Sequence, residues 1–211
     1  MTTDATFFGG LKVAAVEWSL SRDVSSTRLR DGTVIPIERG AALWQGKVTL
    51  APAYHHDLAA TEARLAKLTG AGQFLLAYDP RHNGPRMDPG GAILGAASPT
   101  IHTLHADGHQ MRVNNLPGGY VLSAGDWIGW QYGSNPTRYA LHRLVTGATA
   151  SLAGLTPLFE VTPRIRPGVA TGAAVTLIRP PIKALIRDAA YGQGAPLITQ
   201  GPSFDIFQTL R

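Results

Sequence analysis

Three histidines lie close together near the middle of the chain, and imidazole groups at short spacing are the first candidates for a metal site. His102, His105 and His109 occur within IHTLHADGHQ. Zinc ligands must converge on one point. His102 and His105 are three positions apart and therefore point to opposite faces of a strand, and His109 lies beyond a turn. No Asp or Glu at ligand spacing supports them, so we predict hairpin histidines. We interpret the pair His55 and His56 as loop residues before a helix.

Three carboxylates at predicted strand ends, Asp79, Asp126 and Glu160, are the candidates for acid–base chemistry. Hydrolysis of a glycoside needs two carboxylates at a defined separation. Asp126 in SAGDWI is more simply a turn residue before a strand, so we do not predict a catalytic pair. A serine nucleophile is not predicted either, because GxSxG is absent and Ser203 lacks a strand–turn–helix setting.

Glycine-rich segments are the remaining candidates for binding a cofactor. Those at 70–72, 90–95 and 168–172 lack the spacing of a phosphate-binding or dinucleotide-binding loop. The chain has no cysteine, which excludes thiolate metal ligands, cysteine nucleophiles and disulfides. The sequence therefore predicts no catalytic residue, no cofactor and no metal ion, and an enzyme of unassigned mechanism is the last of three alternatives.

Four tryptophans could form a platform on which sugars stack. They are Trp18, Trp44, Trp127 and Trp130. Trp127 and Trp130 are three positions apart and face opposite sides of a strand. Packing in a core or an interface is the simpler interpretation. A carbohydrate-binding β-module with an exposed Trp127 or Trp130 is the second alternative for the function.

The basic balance of the chain raises the question of nucleic-acid binding. The net charge is +5, and the excess lies in residues 80–182, which carry eight Lys/Arg against four Asp/Glu. Fifteen of the 19 basic residues are Arg, and most stand singly between apolar residues. Guanidinium groups suit protein interfaces as well as phosphates, so we predict a protein partner and no nucleic acid. No stretch approaches the roughly 20 apolar residues of a membrane span, and we expect no membrane contact.

Alternating apolar residues and turn signals predict a mainly β chain with one helix. Residues 11–50 read as three or four antiparallel strands. The segment DLAATEARLAKLTG follows as a helix, with Asp57 as its N-terminal cap and Gly70 in the left-handed position after its end. Its buried stripe is Leu58, Leu65 and Leu68. A strand is predicted at 73–80.

At Pro80 the sequence becomes rich in Gly and Pro, which indicates a boundary. A second set of short strands follows, with the spacing of a small barrel or sandwich. After Pro181 the chain ends on apolar residues that we expect to dock on the fold. The predicted strands are 101–105 and 109–116, which form a hairpin, and 126–132, 138–145, 158–163 and 173–180.

This order of elements is similar to that of the distal tail proteins of long-tailed bacteriophages, prophages and gene-transfer particles. The resemblance covers nearly the whole chain and rests on structural phrases. These are RGAALWQGKVTLAP (39–52), the helix and strand through Tyr78, LSAGDWIGWQYG (122–133), YALHRLV (139–145) and LFEVTPRIRPG with VTLIRPP (158–181).

The resemblance implies a β-sandwich or barrel ring domain at 1–79, completed by 183–211, and an inserted small barrel of the oligonucleotide/oligosaccharide-binding type at 80–182. It implies a homo-oligomeric ring of six copies between the tail tube protein and the baseplate hub protein. Further implied partners are the tape measure protein and receptor-binding proteins. The protein would be made in the bacterial cytoplasm and reside at the virion tail tip. We further expect strands 158–163 and 173–180 to close the barrel, with the connection at 167–172 exposed.

Overall fold

Strands dominate the computed structural model, which describes residues 2–194 and 197–211. Strands hold 43% of the residues, which confirms the predicted mainly β class. Within the described residues there is one α-helix, α1 (His55–Leu68), and a short 3-10 helix at Phe8–Gly10. Neither has the length and apolar character that crossing a membrane would require.

Eighteen strands alternate with turns along the described chain. In chain order they are β1 (Thr2–Asp4), β2 (Val13–Ser21), β3 (Val24–Arg28), β4 (Val34–Glu38), β5 (Leu43–Leu50), β6 (Ala53–Tyr54), β7 (Gln73–Ala77), β8 (Thr100–Leu104), β9 (Gln110–Asn114), β10 (Val121–Leu122), β11 (Trp127–Tyr132), β12 (Arg138–Leu144), β13 (Ala148–Thr149), β14 (Phe159–Thr162), β15 (Val175–Thr176), β16 (Ile182–Ala190), β17 (Ile198–Thr199) and β18 (Ser203–Gln208).

The first large sheet combines both ends of the chain. Its order is β1-β7-β16-β18-β5-β2, and all neighbours are antiparallel except β1 and β7. β18 alternates between buried and half-buried residues, so Phe204 and Ile206 enter the core. The C-terminal strands thus lie in the middle of the sheet, which confirms that the apolar end of the chain docks on the fold.

Helix α1 covers this sheet with the predicted stripe. Leu58, Leu65 and Leu68 are buried, and the last two pack in a cluster with Leu75 of β7 and Ile182 of β16. Complete burial of a leucine or isoleucine side chain contributes about 1.5–3 kcal/mol. The helix therefore holds its place through packing, which outweighs the modest intrinsic preference of its sequence.

The predicted start of α1 is wrong, and so is the left-handed conformation predicted at Gly70. The helix begins before Asp57, with Tyr54 as its flanking residue and no side-chain hydrogen bond to the free amides. Asp57 lies in the first turn, where its carboxylate still interacts favourably with the helix dipole. At the other end, the amide and hydroxyl of Thr69 donate to carbonyls of the last turn. Gly70 follows Thr69 at the predicted position after the helix, but the positive φ falls on Gly72 and not on Gly70.

The second large sheet curls into a nearly closed antiparallel barrel. Its order is β15-β11-β12-β14-β9-β8. A bridge between Thr100 and Ala174 and the hydrogen bond from Ile101 N to Ala173 O join the two outer strands. Inward residues from all of the longer strands fill the interior. They include Ile101, Met111, Val113, Ile128, Trp130, Leu144, Phe159 and Val161.

The structure differs from the prediction that strands 158–163 and 173–180 close the barrel. The segment 158–163 lies inside the sheet, between β12 and β9, and does not close it. The segment 173–180 does reach the seam, but only Val175–Thr176 forms a strand. Arg179 adopts a φ of +45° and two prolines follow it, so the chain turns away from the ladder. The connection at 167–172 is exposed apart from the half-buried Val169, as predicted.

The barrel is inserted between two neighbouring strands of the first sheet. The chain leaves β7 at Ala77 and returns in β16 at Ile182, and these two residues are register partners. Cα atoms of such partners are about 5 Å apart. The division into domains at residues 80 and 182 stays a prediction, although the two sheets draw their strands from opposite sides of these positions.

Candidate interaction surfaces

A hairpin formed by β3 and β4 projects from the first sheet and is the first candidate surface. It connects β2 to β5, and within the described chain its two strands pair only with each other. The turn is tight: Leu29 N donates to Thr33 O at 2.8 Å, and Gly32 takes a φ of +89°. We call residues 24–38 the arm.

The arm carries apolar side chains that the fold leaves in water. Neighbouring residues of a strand point to opposite faces, so Val34 and Ile35 place apolar groups on both faces of the arm. The side chain of Val34 is 55% exposed. A two-stranded hairpin is marginally stable in water unless another surface covers it. The exposed apolar residues of the arm are Val24, Leu29, Val34, Ile35 and Ile37.

A second apolar surface lies where β17 pairs with β6. Ile198 is the register partner of Tyr54, and both side chains face solvent together with Leu197 and Tyr191. Leu197 is 74% exposed and Ile198 is 60% exposed. We call Tyr54, Tyr191, Leu197 and Ile198 the end patch. Helix α1 borders it, because Gly192 N donates to Glu62 Oε1 at 3.3 Å.

The arm and the end patch lie at opposite ends of β5. The arm leaves the sheet where Ser21 pairs with Leu43, at the start of β5. The end patch follows Leu50, where β5 stops, and the start of β18 lies beside the same end because Ser203 pairs with Thr49. β5 has eight residues and spans roughly 25 Å. The two apolar surfaces of one copy are therefore separated by the length of a strand.

A cleft of about 610 Å³ lies between the base of the arm and the barrel. Arg22, Arg164 and Arg166 line it, and so does Glu38, whose carboxylate pairs with Arg22 at 3.4 Å. Arg166 Nη2 donates to Ala42 O at 2.6 Å, and Arg22 Nη2 donates to a threonine hydroxyl of β14 at 3.3 Å. These bonds connect the base of the arm to the barrel and orient the arm relative to it.

The structure separates the histidines that could have suggested a metal site. His105 and His109 border the cleft, whereas His102 is not among its lining residues and lies 2.7 Å from a neighbouring threonine hydroxyl. His105 pairs with Asp107 in the hairpin turn at 3.1 Å. The interpretation of His55 and His56 as loop residues is wrong, because both belong to the first turn of α1.

Two of the three candidate carboxylates, Asp79 and Asp126, serve local structure. Asp79 is buried, which is the largest single influence and opposes its ionisation, but the hydrogen bonds and charge of Arg81, together with a hydrogen bond from His82, hold the pKa of Asp79 below its ordinary value. Asp126 accepts hydrogen bonds from Ser123 N at 2.7 Å and from Arg86 N at 2.9 Å, which confirms its role in a turn. Glu160 lies in β14, and Ser203 opens β18.

Three of the four tryptophans are buried, and Trp18 is partly buried. Trp127 and Trp130 face opposite sides of β11 and both are buried, which confirms the interpretation that they are packing residues. Neither is the exposed tryptophan that the sugar-binding alternative requires. Trp130 fills the barrel interior. Trp127 lies on the outside of the barrel against Trp44 of β5, with ring centroids 4.6 Å apart. The Trp44 indole also donates to Leu141 O at 2.7 Å and joins the sheet to the barrel.

Sequence reasoning missed His142, which is buried in the barrel wall. Its ring stacks on Trp130 with centroids 4.5 Å apart, and Nδ1 lies 2.7 Å from Pro163 O. Burial lowers the pKa of His142 to about 4, and the nearby positive charge of Arg166 acts in the same direction. The alternation of Ala140, His142 and Leu144 within β12 is the signal that could have placed this histidine on the inner face.

No protein-family model matches the sequence, and no curated protein matches it either.

Proposed function

We propose that this protein is a structural component of a phage-type virion, a distal tail adaptor whose copies form a ring between the tail tube and the baseplate hub. The observation that carries the proposal is the arm, which presents apolar side chains on both faces. An arm of this kind gains stability when another protein surface covers it. The order of elements, which resembles that of distal tail proteins, supports the same function.

The finer assignments follow from that resemblance. The ring contains six copies, and its neighbours are the tail tube protein and the baseplate hub protein. The inserted barrel is of the oligonucleotide/oligosaccharide-binding type, and the further partners of the protein are the tape measure protein and receptor-binding proteins. The assembled protein resides at the virion tail tip after synthesis in the host cytoplasm. The sugar-binding alternative requires an exposed Trp127 or Trp130, and both are buried.

The mass of the purified protein in solution tests the proposal. We expect light scattering to show a mass that rises with protein concentration towards six chains, and electron microscopy to show rings. The double variant Val34→Ser/Ile37→Ser removes one apolar group from each face of the arm and should leave a folded monomer.

The matched control is Val145→Ser/Leu152→Ser, which makes the same kind of change at exposed apolar residues outside the arm. Leu152 is 96% exposed. The control should keep the mass of the wild-type protein. A wild-type protein that remains a single chain at every concentration and forms no rings would contradict the proposed function.

A further inference from the structure

We propose that the arm of one copy docks on the end patch of a second copy, so that the chains associate head to tail. This inference rests on the proposed ring function and names the two surfaces that meet. Both surfaces are small, strand-paired and apolar, and each is left uncovered within one chain.

The geometry of β5 rules out a contact between the two surfaces of the same copy. The arm starts at Leu43 and the end patch begins beyond Leu50, so roughly 25 Å of strand lies between them. They also leave the sheet in opposite directions, because one precedes β5 and the other follows it. Two copies placed end to end bring one arm and one end patch together.

The exposed area fits a protein interface. Nine apolar side chains belong to the two surfaces, and they are between 43% and 74% exposed. A fully exposed aromatic side chain presents roughly 200 Å² and an aliphatic one somewhat less, so one face of the arm and the end patch together leave on the order of 500 Å² in water. Specific interfaces bury at least about 1,000 Å² over both partners. The apolar groups supply about half of this area, and their polar borders supply the remainder.

Charges at the borders of the two surfaces complement each other. Arg28 and Arg30 stand at the exposed tip of the arm, with a single acid, Asp31, between the strands. Asp57 and Glu62 of α1 border the end patch. Opposite charges at the rim steer two surfaces together and make association sensitive to salt. We therefore expect association to weaken at high ionic strength.

A head-to-tail contact has a consequence for symmetry. Each copy uses a different surface for each of its two neighbours, and such contacts generate a ring when the rotation between copies closes. A contact between two arms would instead pair the copies and stop at a dimer. The proposed contact therefore provides the type of interface that a ring requires.

Mixing two variants tests the contact. The arm variant Val34→Ser/Ile37→Ser keeps an intact end patch, and the patch variant Leu197→Ser/Ile198→Ser keeps an intact arm. Each should be monomeric alone, and an equimolar mixture should give a species of two chains in light scattering. Circular dichroism checks that both variants are folded.

The outcomes separate the inference from the proposed function. If the wild-type protein associates but the mixture does not, or if the patch variant alone still associates, the head-to-tail contact is wrong and the ring function stands. If the wild-type protein does not associate at all, the ring function itself fails.

Disulfide trapping provides a second measurement that does not depend on weakened variants. The chain has no cysteine, so Ile37→Cys and Leu197→Cys each introduce a single thiol. When the two proteins are mixed under oxidising conditions, we expect covalent dimers that contain one copy of each. Val145→Cys serves as the control in place of Leu197→Cys. Dimers made of two Ile37→Cys copies alone would overturn the proposed contact.

Discussion

His142 shows how one buried ring can make the fold sensitive to acid. A carbonyl oxygen only accepts hydrogen bonds, so the contact with Pro163 O requires the proton on Nδ1. A second proton would place a charge inside the barrel wall, beside Arg166. The side chain is buried and its ring stacks on Trp130, so an added charge would have little contact with water.

We predict that stability falls between pH 6.5 and pH 4 because of His142. Its pKa is about 4 in the folded protein and 6.5 in the unfolded chain, so the unfolded chain binds a proton first as the pH falls. The stabilisation from neutral His142 is complete above pH 6.5 and is lost progressively down to pH 4. A shift of this size amounts to about 3 kcal/mol. Urea unfolding at several pH values measures it.

His142→Gln should remove this pH dependence, whereas the control His102→Gln, at an exposed position, should retain it. Asp79 does not obscure the result, because its lowered pKa makes it titrate below its ordinary value of 3.8. An identical pH profile for His142→Gln and the wild-type protein would contradict the prediction.

At the scale of the elements, Gly129 allows the chain segment that leaves the barrel to pack on β11. A Cβ atom at this position would lie 2.8 Å from Pro180 Cβ and 3.0 Å from Ala140 O. Pro180 belongs to the segment that leads from the barrel back to β16. The absence of a side chain thus permits this segment to lie against the barrel wall.

We predict that Gly129→Ala destabilises the protein by about 1–3 kcal/mol, because the new methyl group must displace Pro180. The loss is measured as a lower free energy of unfolding in urea. Gly10→Ala is the control, since a Cβ there meets no atom within 4 Å. Equal stability of both variants would show that the exit segment is free to move.

The sequence predicted elements where a local pattern decides them. The strands within residues 11–50 and the hairpin around Gly108 follow from alternation and turn residues, which act over a few positions. The start of α1 was predicted wrongly, because the choice between Asp57 and Tyr54 as the cap depends on competing local contacts. The strand at 173–180 was predicted too long, because alternation does not reveal that Arg179 turns the chain away.

The sequence did not predict the two interaction surfaces, for a different reason. The segment TVIPIERG alternates in the same way whether its apolar face is packed or exposed, so a strand was predicted there but its exposure was not. The end patch combines Tyr54 with Tyr191 and Ile198, which lie far apart in the chain. Only the fold of the first sheet brings these residues together.

At the scale of the whole molecule, Trp44 joins the sheet to the barrel. Its indole donates to Leu141 O and packs against Trp127. We predict that Trp44→Phe lowers the free energy of unfolding by about 1–3 kcal/mol, because a buried carbonyl loses its hydrogen-bond donor. Thermal and urea unfolding measure the effect.

Trp18→Phe is the matched control for this prediction. The Trp18 indole nitrogen is buried without a hydrogen-bond partner in the described structure. The control variant therefore loses similar bulk and no hydrogen bond, and it should be affected less. If Trp18→Phe lowered the free energy of unfolding as much as Trp44→Phe does, the hydrogen bond to Leu141 O would not explain the effect.

The adjacency of Ala77 and Ile182 has an evolutionary consequence. The chain leaves and rejoins the first sheet at neighbouring positions, so a segment of almost any length can be spliced between them without shifting the strands on either side. Recombination could exchange the barrel as a cassette while leaving the arm and the end patch unchanged. The main constraint on a replacement would be the surface around Trp44, which any new insert must cover.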